Sequence, residues 1–329
     1  MKTRLLALLL VLCLLAVPAF LVSCQNTPET PDDNNGTNNA DPQPDPDPEP
    51  ERDPLKNLAP ASLDVNGDGA VKILSLGNSF SVNTYKFLHP ILTAHGIENV
   101  TLGNLYSPSC NLGTTAGYVQ GNGVYASYYK YDTEGVRTET KNYSAQTAIA
   151  EEDWDIITLQ QASGFSGRSD SFFPYLDYII QYIEENRTVK DGLLMWHMTW
   201  AYQQTHTSDA FINYYNADQM TMYKAIVNTT KEKVLTDEAF SMVIPAGTAI
   251  QNARTSFLGD SMTTDGYHLN PRACWIAGYA WYTSLTGQKI DEIKYVPDEF
   301  TASAETLEAV KEAVNAVIDA PFEVTDLSK

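Results

Sequence analysis

The feature that most constrains this chain is an alternation of two hydrophobic periods from about residue 63 onward. Short apolar runs that read as strands, Val71 to Leu76, Asn99 to Leu105, Asp155 to Leu159, Gly192 to Met198 and Ser241 to Ile244, are separated by longer stretches. Those stretches carry apolar residues every three or four positions and predict helices at Tyr85 to His95, Tyr175 to Glu185, Asp218 to Val234 and Pro271 to Leu285. Strands joined through helices require right-handed crossovers. The expected fold is therefore a three-layer α/β/α sandwich, flavodoxin-like, around a mostly parallel sheet. One segment breaks the alternation: in YYKYDTEGVRTETKNY, Asp132 to Gly135 separates two aromatic or β-branched runs and predicts an inserted β-hairpin.

The region before the alternation cannot join a core. Met1, Lys2, Thr3 and Arg4 precede an apolar run from Leu5 to Leu21, the pattern of an export signal. The run ends Leu21, Val22, Ser23, Cys24, which resembles the cleavage box of bacterial lipoproteins and implies lipidation of Cys24. A plain membrane anchor is the other reading, because the run is nearly long enough to span a bilayer. Either places the protein outside the cytoplasm and holds it to a membrane. Residues 24–62 are rich in Asn, Asp, Pro and Glu, including DPQPDPDPEPERDP, and bury too little apolar surface to offset the entropy of ordering. They are expected to form a disordered tether between the signal (residues 1–23) and one folded domain (residues 63–329). The formal charge of −20 disfavours nucleic acid, whose binding relies on Lys and Arg at phosphates. Two cysteines remain in the domain, Cys110 and Cys274, and both a disulfide and two buried thiols fit their contexts.

In doubly wound sheets ligands bind beyond the carboxyl ends of the strands. That directs attention to Gly77 to Ser79, Tyr106 to Asn111, Gln160 to Ser163, His197 to Tyr202 and Ala246 to Thr248. A second candidate lies outside these ends. DVNGDGAVKILS matches the start of a calcium loop at Asp64, Asn66, Asp68 and Gly69, but Ser75 stands where the loop needs a bidentate carboxylate. A tight turn feeding the first strand is the competing account. His89, His95 and His206 have no metal-ligand spacing with one another or with His268, and neither a metal nor another cofactor is expected.

The chemistry concentrates at the two ends of the domain. Late in the chain, TTDGYHLNPRACW places Asp265 three residues before His268 in a turn, ahead of a helix that Asn270 can cap with Pro271 behind it. A carboxylate there can hold the proton of one imidazole nitrogen and leave the other as a base. Alone, the pair reads more readily as a surface Asp and a satisfied loop His. Early in the chain, ILSLGNSFSVN ends the first strand at Ser79. GNSFS, DGYHLN and the α/β order together resemble the SGNH, or GDSL-like, hydrolase superfamily. WDIITLQQAS, WHMTWAYQ and IPAGTAIQNAR further resemble the DUF4886 group of bacterial proteins.

That resemblance implies Ser79 as nucleophile, His268 as general base and Asp265 as its orienting partner, with an acyl-enzyme intermediate. It also implies an oxyanion hole built from the Ser79 N–H, a second-block Gly and a third-block Asn. Here the chain departs from the pattern. Ser109 aligns with the Gly, with Gly113 four residues on, and Gln160 and Gln161 stand where the Asn is expected; either carboxamide can serve. Asn78 replaces the superfamily's usual Asp. Asn78, His197 and Trp200 are candidate substrate-binding residues, though His197 and the aromatics beside it also suit a core. The implied activity is an extracytoplasmic serine esterase acting on acyl, most plausibly acetyl, groups of an acylated glycan or another small ester. A non-catalytic carbohydrate-binding lipoprotein and an acyltransferase with the same triad are the alternatives.

Overall fold

The computed structural model describes residues 57–121 and 123–328; the expected signal, Cys24 and most of the tether lie outside the described residues. Among these residues seven strands form one sheet: β1 (Val71–Gly77), β2 (Val100–Tyr106), β3 (Val124–Tyr131), β4 (Arg137–Ser144), β5 (Ile156–Leu159), β6 (Leu193–His197) and β7 (Met242–Ile244). Their order is β4-β3-β2-β1-β5-β6-β7. The five strands from β2 to β7 along that order run parallel, and β3 and β4 add an antiparallel edge. The expected hairpin is thus part of the main sheet. Its outer strand β4 is exposed and charged at Arg137, Glu139 and Lys141, a composition that discourages pairing with another chain. β1 and β5 are buried almost throughout, as strands covered on both faces must be.

Helices α1 (Ser79–Ala94), α7 (Ala246–Thr255), α8 (Pro271–Thr286) and α9 (Ala304–Asp319) form one packed set. α2 (Leu112–Gln120), α3 (Ala145–Ala150) and α4 (Tyr175–Asn186) form another. α5 (Asp209–Tyr215) and α6 (Gln219–Lys233) connect β6 to β7. α8 is buried from Ala273 to Leu285 without a break, because α1 and α9 both pack against it. Among the described residues no helix is long and apolar enough to cross a membrane.

The connection from β1 runs one way along the sheet, to β2, and that from β5 runs the other way, to β6. The crevice between their carboxyl ends is the switch point of a 2-1-3-4-5 doubly wound sheet.

Several elements differ from the sequence expectation. α1 begins at Ser79, six residues before Tyr85, because Asn78 caps it by accepting the Phe80 N–H at 3.0 Å. α2, α3, α5, α7 and α9 were not anticipated. α7 buries polar Gln251, Asn252 and Arg254 beside its apolar residues, so its residue types do not mark it as a core helix. The folded unit also starts earlier than Leu63. The Asn57 side chain donates to Val243 O at 2.9 Å and accepts from Val243 N at 2.7 Å, closing the free edge of β7.

The calcium-like loop is a turn held from within. The Asp64 carboxylate accepts the N–H groups of Gly67, Asp68 and Gly69, while Ser75 is buried in β1 against Tyr85 and Thr158. Beside it, Asp155 is fully buried just before β5. Its carboxylate accepts from Lys72 N and Val65 N at 2.8 Å and from Asn66 N at 3.3 Å, stitching the incoming chain to β1. Cys110 and Cys274 are free and buried, and burial pushes the Cys274 thiol up to about 12.

Removing a buried acceptor strands three donors at once. Asp155→Ala is expected to lower the free energy of urea unfolding by about 3 kcal/mol with an unchanged m-value, and Asp155→Asn, which keeps one acceptor oxygen, by about half that.

Candidate functional site

The site begins with the tight turn that ends β1. A Cβ on Gly77 would lie 2.5 Å from Ser81 Oγ and 3.0 Å from Gln160 Oε1, so only glycine lets the chain turn there. Asn78 follows as the cap, and Ser79 is the first residue of α1, where a backbone N–H has no acceptor within the helix.

The Asn78 carboxamide joins four segments. Its Oδ1 accepts from Phe80 N and from Gln160 Nε2 at 2.7 Å, and its Nδ2 donates to Cys110 O at 3.0 Å. These bonds fix the orientation of the next amide: Gln160 Oε1 must be an acceptor, and it takes the Nδ1 proton of His197 at 3.1 Å. His197 Nε2 lies 3.5 Å from the Thr84 hydroxyl on α1. Burial pushes His197 down to about 3, so it stays neutral and serves as a fixed donor.

From the other end of the chain, the loop before α8 reaches Ser79. His268 Nε2 lies 2.8 Å from Ser79 Oγ, and His268 Nδ1 lies 2.6 Å from Asp265 Oδ2. An ionised carboxylate only accepts, so Nδ1 carries the ring proton and Nε2 accepts from the Ser79 hydroxyl. Asp265 Oδ1 also accepts the N–H groups of His268 at 2.8 Å and Tyr267 at 3.2 Å. Partial burial opposes ionisation of Asp265, but those backbone donors and the His268 ring outweigh it and hold the carboxyl below its usual range. The turn depends on Gly266, whose φ of 96° is left-handed.

Three contacts hold this loop to α1 and to the segment after β6. Asn83, one turn along α1 from Ser79, accepts the Leu269 N–H at 3.0 Å; Trp200 Nε1 donates to Tyr267 O at 2.8 Å; Gln203 N donates to Gly266 O at 2.8 Å. Behind the imidazole, Phe80 stacks on Trp200 at 4.3 Å, and Tyr267 lies against the His268 ring at 4.1 Å.

Ser79 and His268 open onto a cleft of about 430 Å³. Its walls include the aromatic rings of Tyr106, Phe165, Tyr202 and Tyr267 and the hydroxyls of Ser109, Ser163 and Ser208. No Lys, Arg, Asp or Glu lines it among the described residues. Ser109 has a φ of 54°, the left-handed conformation that glycine adopts most readily.

Ser79, His268, Asp265, Ser109 and Asn78 therefore lie together, and Asn78 also caps α1, its Oδ1 accepting two bonds and its Nδ2 donating one. Four other expectations change. Gln161 is buried, with Oε1 accepting from Leu112 N and Ala162 N and Nε2 donating to Ser171, so it ties loops together. Gln160 bridges Asn78 and His197 away from the cleft wall. His197 and Trp200 are buried behind the cleft and orient Gln160 and Tyr267 instead of meeting a ligand. Sequence reasoning missed Asn83, Tyr267 and His206. Asn83 sits four residues after Ser79, a spacing that puts both on one helix face, but it was hidden by placing the helix start at Tyr85.

The fold and site define a doubly wound α/β protein with a Ser-His-Asp arrangement at its switch point. The chain belongs to the DUF4886 family, a domain of unknown function whose model matches residues 72–316. It is similar to a DUF4886 family protein from Bacteroides uniformis ATCC 8492, with a TM-score of 0.73 and 36% identity over 78% of this chain and 98% of that one. Comparison with curated proteins finds no match.

The lowered Asp265 value has a measurable consequence. Carbon-detected NMR is expected to show this carboxyl titrating below 3.8, and His268→Ala is expected to raise its midpoint. The sign follows from linkage: a depressed folded value contributes stability above the unfolded value, and that stability is lost as pH falls through the folded one.

Proposed function

We propose that this chain is a serine esterase of the SGNH type, acting outside the cytoplasm on acyl esters, in particular acetyl groups on a glycan. The observation that carries the reading is the unbroken hydrogen-bond chain from Ser79 through His268 to Asp265, open to a cleft on its Ser79 side. In the proposed reaction His268 Nε2 takes the Ser79 proton as Oγ bonds to the acyl carbon. The tetrahedral intermediate collapses as the alcohol leaves with that proton. Water, deprotonated by the same nitrogen, then releases the acid and restores Ser79.

Oxyanion stabilisation falls to backbone donors, the Ser79 N–H at the start of α1 and the N–H of Ser109. The uncharged cleft suits a neutral ester, and its aromatic walls with interspersed hydroxyls suit a sugar ring. Export, lipidation at Cys24 and attachment to a membrane belong to the same proposal and rest on the sequence pattern alone. One observation favours a second reading, a non-catalytic carbohydrate binder: the Gln160 and Gln161 carboxamides are both engaged elsewhere, which removes the expected third oxyanion donor.

A fluorophosphonate probe and 4-nitrophenyl acetate separate the two readings. Wild type is expected to label and turn over. Ser79→Ala is expected to lose labelling, and His268→Ala to lower kcat by roughly a thousandfold or more. If wild type behaves like Ser79→Ala in both assays, the esterase reading fails and the binder stands.

A further inference from the structure

His206 is a second imidazole in the cleft that the triad does not use. Three aromatic rings hold it in place: Tyr202 at 4.8 Å, Tyr267 at 5.4 Å and Phe211 at 6.1 Å. Its Nδ1 faces Gly266, where a Cβ would come within 2.4 Å, so the missing side chain at 266 allows the ring to seat as well as the turn to form. Neither ring nitrogen has a hydrogen-bond partner among the described residues. Tyr267 neighbours both imidazoles, 5.4 Å from the His206 ring and 4.1 Å from that of His268, and both line the cleft.

The surroundings restrict what such a group can meet. Ser208 lines the same wall, and Ser163 Oγ and Tyr202 OH are paired at 2.7 Å. One hydroxyl proton of that pair is used between them, which leaves the other free to donate outward. With no cationic side chain in the lining and a chain charge of −20, an anionic group gains nothing here. A neutral hydroxyl, which both donates and accepts, matches an imidazole edge with hydroxyls beside it.

We propose that His206 is a specificity-determining residue that hydrogen-bonds a hydroxyl neighbouring the scissile ester, so that the preferred substrates are esters of polyols such as sugars. This rests on the esterase reading above. A site built to pair a substrate hydroxyl rejects analogues that lack it far more strongly than an apolar pocket rejects a missing methylene, because its own polar groups are left unpaired.

The test compares kcat/KM for a monoacetylated methyl xyloside with that for 4-nitrophenyl acetate. The ratio is expected to fall tenfold or more in His206→Phe and to recover in part in His206→Gln, which keeps a hydrogen-bonding edge. A ratio unchanged in His206→Phe, or an equal fall for both substrates, overturns the proposal while leaving the esterase reading intact. Calorimetric titration of the same xyloside into Ser79→Ala and into Ser79→Ala/His206→Phe provides a readout independent of turnover. A loss of affinity of about tenfold with the second change supports the assignment, and equal affinity overturns it. Failure of wild type to react with the fluorophosphonate would instead remove the catalytic reading, and the titration still decides His206.

Discussion

The hydrogen bonds of the Asn78 side chain are the constraint on which the rest of the site depends. One carboxamide ends β1, starts α1, grips the loop after β2 through Cys110 O and meets the end of β5 through Gln160. His197 extends the same set to the end of β6 and back to α1 through Thr84. Parallel strands bring their carboxyl ends to one edge, but only to within the width of a loop. The shared amide converts that proximity into a fixed geometry, buried where each bond is stronger than in water and where an unpaired partner would be costly.

This arrangement accounts for the limits of what could be read in advance. The strands were legible because parallel-sheet burial demands continuous apolar runs, as in Ile73 to Leu76 and Ile156 to Leu159. Helices with a polar face turned to solvent, α4 and α6, were legible to within a residue or two. α7 was not, since its polar residues Gln251, Asn252 and Arg254 are buried and bonded to neighbours instead of turned to solvent. The start of α1 was missed for a related reason: Asn78 resembles turn chemistry until the Phe80 N–H is seen to need it.

The meeting of Ser79, His268 and Asp265 was legible from residue types and spacing, since a carboxylate three residues before a histidine and a serine at a strand end suit one hydrogen-bond chain. The supporting residues were not. Gln161 and Gln160 stand where an oxyanion donor is expected, yet whether a strand-end amide points to the cleft or to its neighbours depends on contacts 10 to 82 residues away in sequence. His197 and Trp200 carry the residue types of a ligand site and are buried behind it. Asn83 and His206 carried no signal beyond their types, since the partners that give them meaning, Leu269 and Gly266, lie far along the chain.

On the esterase reading, the absence of charged side chains from the cleft wall among the described residues bears on the end of a catalytic cycle as much as on its start. Hydrolysis of an ester turns a neutral ligand into an anion. That carboxylate would be created where no lysine or arginine of the described residues lines the wall, in a chain of net charge −20. Departure of the acid is then favoured by the same electrostatics that admit the uncharged ester, and accumulated acid competes weakly for the vacated cleft.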